Sequence, residues 1–415
     1  MKKIILSHPT GNRNVRAVMT SLNKAGMLEK FNTTLAADAG AFWLKLLPAG
    51  MRAEWLRRAY PIPKQSLHTR PALELARITL PKLGLNSCIE HEKGWACIDA
   101  VYHDLDKAGA KQLKSTKGNV DAVYAYEDGA LETFRQAKKM GIKCIYDLPI
   151  AYWQTVQKLL GQEAERMPQW AVTLGGGIND SEAKLERKTK ELELADVVVG
   201  PGSFVMDSIP LWSNKQIIVS PFGSPELNGH NIKALTNNKQ RNAPLRVLFA
   251  GSMGQRKGLG DLFNAIKILN TNKVELVVMG SLLTDMDFYR SEFPDFTYEA
   301  GRSHDKVLEL MRSCDVFCLP SIVEGRALVM QEAMSQGLPI IITPNTGGAD
   351  LIDEGKTGFL VPTRSPQLIA EKIAWFLDNR DEIPYMGEMA RQKAAGYTWD
   401  NYGDHIVESL NEYLS

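Results

Sequence analysis

Two glutamates, Glu324 and Glu332, lie eight positions apart in SIVEGRALVMQEAMSQGLPII, the first in a loop after the apolar run DVFCLPS and the second in a helical pattern. A helix beginning near Ala327 would turn its free amides, and the positive end of its dipole, toward whatever the loop holds, a setting that suits a diphosphate. Glu332 would then sit about 7.5 Å further along the axis, at a rise of ~1.5 Å per residue. Carboxylates accept hydrogen bonds from vicinal hydroxyls, so one acid could take a sugar ring and the other a ribose. The competing reading of two acids at this spacing is an exposed helical face.

A second constellation is VLFAGSMGQRKGLGDLFNAI: a strand, a glycine-rich turn and a helix, with Arg256 and Lys257 adjacent in the turn. Two cations beside a helix start make a diphosphate clamp. Lys257 is followed by Gly258, with no hydroxyl placed for magnesium, so the turn is not the phosphate loop of an NTPase. Its glycines, at 251, 254, 258 and 260, also miss the dinucleotide spacing, and Glu275 lies inside KVELVVMG, which ends in Gly280 instead of an acid.

Further candidates sit in the first half. Asp147, at the end of KCIYDL, either orients an acceptor hydroxyl or caps a turn before Leu148 and Pro149. Asp128 in YAYEDGA reads more simply as a helix cap. Gly11 and Asn12 fall between the first strand and its helix, where close approach of backbone to substrate needs a small residue; His8 reads as structural. Cys88, His91, Cys97 and His103 match no standard zinc spacing, Asp285 and Asp287 form an isolated DxD, and Cys314 and Cys318 read as core residues, so no metal site is expected.

The elements that must position these residues alternate. KKIILSH, DAVYAY, KCIYDL, DVVVG and QIIVSP precede helical stretches in the first half. LRVLFAG, KVELVVMG, DVFCLPS and LPIIITP do so in the second. Near-continuous apolar strands between helices predict parallel sheets covered on both faces, with ligands at the strands' carboxyl ends. The chain of 415 residues, 44% apolar, is too long for one core. It divides into a first domain over 1–225, a linker over 226–244 rich in Asn, Gly and Lys, a second domain over 245–392, and a C-terminal segment over 393–415 whose helix is placed to cross back onto the first domain.

Lysine and arginine number 49 against 48 acids, so no global field draws the protein to nucleic acid. Five cysteines suit a reducing compartment, and the short apolar run in MKKIILSHPTG is neither a secretory core nor a membrane span, so a cytoplasmic protein is expected. The anomaly is residues 41–83, where Lys45, Arg52, Arg57, Arg58, Lys64, Arg70, Arg77 and Lys82 face only Glu54 and Glu74, a local charge of +6, interleaved with Phe42, Trp43, Trp55 and Tyr60. This is either a solvated face with its aromatics in the core or a basic amphipathic surface touching an anionic membrane or acceptor.

In order and spacing, ELELADVVVGPGSF, VSPFGSP, GSMGQRKGL, the two glutamates, LPIIITPNTGGADLI, GKTGFLVP and YTWDNY resemble glycosyltransferase family 4, the retaining group 1 enzymes, over about residues 190 to 405. The resemblance implies the GT-B fold, two Rossmann-like domains facing each other across a cleft, the N-terminal one binding acceptor and the C-terminal one a nucleotide-diphosphate sugar. It implies no cofactor and no metal beyond that co-substrate. It gives Arg256 and Lys257 the diphosphate, Glu332 the ribose and Glu324 the transferred sugar. Backbone of Gly325, Arg326, Ala327 and Leu328, with Ser252 and Gly254 of the cationic turn, would meet sugar and phosphate. Gly280, Ser281 and Arg302 would meet the base, and Gly11 and Asn12 would approach the donor from the first domain.

The sequence departs from the family where Gly-Phe-Gly commonly follows the first glutamate and Gly325, Arg326 and Ala327 stand here; Arg326 either adds charge beside the donor sugar or pairs with a neighbour. It departs again where a histidine often follows the strand that here reads KCIYDLPIAYW and Tyr146 and Asp147 stand instead. The resemblance further implies a hexosyltransferase-like enzyme working on a glycan, lipid-linked or small-molecule acceptor. A nucleotide-sugar epimerase or isomerase of the same architecture, and a non-catalytic glycan-binding relative, are the alternative readings.

Overall fold

A computed structural model of the chain describes residues 2–116, 119–175, 177–225 and 243–415. The expected linker, 226–244, lies outside the described residues except for its last two positions.

The chain forms two all-parallel sheets. The first is built from β1 (Ile4–Ser7), β2 (Leu28–Thr33), β3 (Leu67–Thr69), β4 (Ala122–Tyr126), β5 (Lys143–Asp147), β6 (Val197–Gly200) and β7 (Gln216–Val219), in the order β3-β2-β1-β4-β5-β6-β7. The second holds β8 (Leu245–Ala250), β9 (Val274–Met279), β10 (Phe296–Glu299), β11 (Val316–Leu319), β12 (Ile340–Ile342) and β13 (Gly358–Leu360), in the order β10-β9-β8-β11-β12-β13. In each, strand order reverses beside the first strand, between β1 and β4 and between β8 and β11. Such switch points open a crevice beyond the strands' carboxyl ends.

The central strands have apolar residues on both faces because helices cover both. The helix Arg13–Lys24 buries Val15, Val18, Met19 and Leu22, the helical period of one apolar stripe. That stripe and the inner face of the first sheet are closed by the C-terminal helix Trp399–Leu414, whose Tyr402, Ile406, Val407, Leu410 and Leu414 join the same core. Thr398 caps that helix, its hydroxyl accepting the amide of Asn401 at 3.0 Å.

The domains also exchange material in the other direction. Met167 and Trp170, which the sequence reading places in the first domain, sit inside the second domain's core. Trp170 is fully buried edge-on against Phe263, Phe288 and Tyr289, and its indole N–H donates to Glu292. Glu163, one turn before Met167, accepts from Arg166, Gln255 and Arg364, the last two from the second domain. The segment from Trp153 to Thr173 is therefore a strut between the domains, buried along one face at Val156, Leu160, Glu163, Met167, Trp170 and Thr173.

Candidate functional site

The turn after β8 climbs through a short 3-10 turn, Gln255–Lys257, into the helix Leu259–Leu269. Gly258, which joins the two, has a φ of +77°, and a Cβ there would lie 2.1 Å from the carbonyl oxygen of Pro320. Only glycine lets the turn press against the loop after β11. The two loops are stitched together: Ile322 N–H donates to the carbonyl of Arg256 at 2.9 Å, and Glu324 N–H donates to the carbonyl of Asn345 at 3.1 Å. This backbone frame sets the side chains. Lys257 Nζ lies 2.6 Å from Glu324 Oε1, and Arg256 Nη2 lies 3.5 Å from the same oxygen. Residues separated by almost seventy positions thus form one three-charge cluster, with two cations on one carboxylate oxygen.

The helix after this loop is Leu328–Ser335, with Ala327 at its N-cap and no side-chain cap. Ala327 N–H is already used, donating to Thr346. Among the described residues nothing accepts the amides of Leu328 and Val329. Two of the orphan donors of a helix start therefore remain, beside two cations. The contrast with the helix Leu131–Lys139 is instructive. There the first amides are consumed by Glu191 and Asp106, which accept from Ala130, Leu131, Glu132 and Thr133.

Glu332 lies on the helix facing the first domain, its Oε1 3.7 Å from His304 Nδ1. Burial raises its pKa, opposed by the charges of His304 and Arg13. Arg326 does not add charge beside Glu324. Its guanidinium is buried, forms a two-pronged bond to Asp350 and lies over the Tyr397 ring. Gly325 brings the domains into contact: a Cβ on it would sit 1.7 Å from the carbonyl oxygen of Pro149, after β5.

Several of the expected positions are also packing positions. A Cβ on Gly11 would strike the Tyr60 ring, with the hydroxyl oxygen at 2.4 Å, so this glycine makes room for an aromatic side chain. Gly254 fits against Thr173 and Leu283, and Gly280 against the backbone of Gly251. Ser281 stays beside the cationic turn, its carbonyl accepting from Met253, with Ser252 next to it. Arg302 is ion-paired with Glu299.

Asp147 is a correction to the expected cleft-facing acid. It is 1% exposed, accepts from the Tyr124 hydroxyl at 2.5 Å, and is pushed up to about 7 by burial, partly opposed by the Tyr124 and Tyr126 hydroxyls. Asp128 is no helix cap either: its φ is +72°, and its carboxylate faces Arg187 and Lys188. Asp285 caps the helix Met286–Glu292 by accepting from Phe288. Cys97 caps Ile98–Ser115 through its sulfur. Among the described residues, His91, Glu92 and Asp180 bring ligand atoms within 4.8 Å of one another, but Lys184 and Lys188 already hold Asp180.

Between the domains, next to Arg326 and Leu328, lies a cavity of about 470 Å³ whose lining includes His8, Arg13, Tyr102, Tyr126, Asp128 and Trp399. His8, set aside on sequence, is a fixed donor here. Its Nδ1 accepts the amides of Thr10 and Gly11 at 3.1 and 3.0 Å, which leaves the proton on Nε2, and burial pulls its pKa down to about 3. The ring is therefore neutral at ordinary pH and incapable of serving as a base through Nδ1. The available signal was local, since a histidine three residues before a left-handed glycine can accept that glycine's amide. Tyr102, on a helix with no other marker, gave none.

Two parallel-sheet domains that share a C-terminal helix and enclose a cationic turn define the GT-B glycosyltransferase architecture. Across 99% of this chain and 100% of its own, the Anabaena protein HepE in complex with UDP has the same fold, with a TM-score of 0.60 at 15% identity. Residues 232–393 match the family described as Glycosyl transferases group 1. Among curated relatives, sulfoquinovosyl transferase SQD2 of Arabidopsis thaliana is 27% identical over 205 residues, 49% of this chain and 39% of that protein. D-inositol 3-phosphate glycosyltransferase of Corynebacterium urealyticum is 34% identical over 107 residues, 26% of this chain and 25% of that protein. The matches thus span well under half the length of these two relatives.

Among the described residues no helix is long and apolar enough to cross a membrane.

Proposed function

We propose that the chain transfers a hexose-type sugar from a nucleoside diphosphate sugar to an acceptor hydroxyl, with retention of anomeric configuration. The observation that carries this reading is the sharing of one Glu324 oxygen by Lys257 and Arg256, beside the unused amides of Leu328 and Val329. One acid does not balance two cations and a helix start, so the loop favours a further anion. A diphosphate carries more charge than Glu324 and takes both cations, which frees Glu324 to accept from hydroxyls of the sugar. Glu332, further along the helix, accepts from the ribose. The UDP named with the HepE structure supports a nucleoside diphosphate as the leaving group.

In the transfer the bond from the anomeric carbon to the phosphate oxygen breaks, and the acceptor oxygen bonds that carbon from the same face. The acceptor proton passes to the departing phosphate oxygen. The chain needs no nucleophile for this. Its contribution is to hold positive charge and N–H groups where negative charge develops, worth several kcal/mol in a site shielded from water. The cavity beside Arg326 and Leu328 admits the acceptor, with the His8 Nε2–H as a donor whose protonation does not vary near neutral pH.

Thermal unfolding in the presence of UDP, GDP or ADP tests the donor site, because a ligand of the folded state raises the transition. Lys257→Ala and Glu324→Ala each abolish release of the diphosphate from its sugar conjugate. Turnover retained in both would remove the assignment, and conversion of the donor to an isomeric sugar without acceptor would favour an isomerase.

A further inference from the structure

We propose that the segment from Phe42 to Arg57 docks the first domain on an anionic lipid bilayer. It leaves the carboxyl end of β2 and contains a 3-10 helix, Phe42–Leu46, and a helix, Ala49–Leu56. Phe42 is 73% exposed, Leu46 71%, Met51 51% and Leu56 40%. Large apolar side chains this open, and this close together in sequence, are unusual on a water-facing surface.

The structure also separates the cations of the wider basic window. Arg58 and Arg77 pair with Glu74, Lys64 with Asp38, and Arg70 with Asp104. Lys45, Arg52, Arg57 and Lys82 are exposed and have no ion pair among the described residues. Three of these four unpaired cations lie in the segment that exposes Phe42, Leu46, Met51 and Leu56. This combination fits an anionic bilayer, whose interface takes the apolar groups below the headgroups and lets Lys and Arg reach up to the phosphates. An eight-residue helix is about 12 Å long, too short to cross a membrane and able to lie in its surface.

The segment is not a loose tether. Arg16 donates from Nη1 to Ala59 O at 2.7 Å and from Nε to Gly11 O at 2.9 Å, and its guanidinium lies 4.3 Å from the Tyr60 ring centroid. Those bonds tie the return of the excursion to the loop that carries His8, Asn12 and Arg13 into the interdomain cavity. Docking therefore keeps the loop that lines the cavity near the lipid surface, where an acceptor with a lipid anchor is delivered. That last step rests on the proposed transfer reaction; the docking does not.

The test is co-sedimentation of the full chain with sucrose-loaded vesicles of phosphatidylcholine alone, or with about 30 mol % phosphatidylglycerol. Partitioning should rise at least roughly tenfold on the anionic vesicles and fall back at about 0.5 M salt. Phe42→Ser with Leu46→Ser, and separately Lys45→Glu with Arg52→Glu, should each abolish binding with an unchanged thermal transition, because these side chains are exposed. Lys257→Ala should bind vesicles like the parent, which separates failure of the docking from failure of the donor site. Equal binding to both vesicle types, no binding to either, or full binding by the paired variants would overturn the proposal.

Discussion

The Lys257–Glu324 contact can be read as a plain salt bridge or as a donor clamp, and a double-mutant cycle separates the two. The side chains are 13% and 11% exposed with 2.6 Å between Nζ and Oε1, so removing one partner strands the other in a poorly solvated loop. Breaking such a pair from one side costs about 3–5 kcal/mol when nothing replaces it. Here Arg256, at 3.5 Å, remains near Glu324, which places Lys257→Ala nearer 2–3 kcal/mol and lowers the melting temperature of the second domain by about 2–4 °C per kcal/mol. Lys257→Met with Glu324→Gln removes both charges, and stability should return to within ~1 kcal/mol of the parent. Catalysis should not return. Loss of a group that stabilises the leaving diphosphate costs on the order of a hundred- to a thousandfold in turnover, and neutralising Glu324 does not restore it. Glu324→Gln alone should keep or tighten binding of the nucleoside diphosphate, since the internal competitor for the cations is gone, while transfer still falls. Titration calorimetry with that diphosphate, its release from the sugar donor, and thermal unfolding give the three readouts. If the double variant recovers turnover, or if Glu324→Gln weakens diphosphate binding as much as Lys257→Ala, the cations serve Glu324 and not a donor.

The remaining predictions concern the frame around the site. Trp170→Ala should destabilise the second domain by about 3–5 kcal/mol, because a fully buried indole is lost from a core it enters from outside; denaturant unfolding should show the domains melting apart, and a single unshifted transition would refute the strut. Asp147 titrates near 7 when folded and near 4 when unfolded, so the folded state holds the extra proton between those values and stability falls as pH rises from about 4 to 7. Asp147→Asn should therefore raise the melting temperature at pH 8 and give little gain at pH 4, and a gap independent of pH would be the wrong result. His8 should keep its proton on Nε2 and show no titration from about pH 5 to 8 in ¹⁵N-edited histidine spectra; a midpoint near 6.5 would show that its buried, doubly accepting Nδ1 is misread.

What was legible in the sequence followed from period and punctuation. The interior strands β4, β5, β6, β8, β9, β11 and β12 are short apolar runs ended by Gly, Pro, Asp or Ser, and they could be placed from that pattern alone. β2 was not, because LEKFNT mixes charge into a strand whose burial comes from the neighbouring helices, and β3 is three residues long. The cationic turn and the first glutamate were legible because glycine and charge fall together where a strand must end, and their meeting needs only the two loops to be neighbours across β8 and β11.

Asp147 was misplaced for a physical reason. A carboxyl at the end of a parallel strand can turn outward to the crevice or inward beneath the next loop, and the decision belongs to Tyr124, two strands' width of sequence away, whose hydroxyl offers it a buried partner. Trp170 was assigned to the wrong core because sequence order says nothing about which of two apolar cores a connecting segment enters, while the space bounded by Phe263, Phe288 and Tyr289 does. Both cases place the limit at tertiary choice between two locally equivalent outcomes. Arg256, Lys257 and Glu324 meet because their positions are set by backbone closure through Gly258 and Pro320, which leaves little freedom to turn elsewhere.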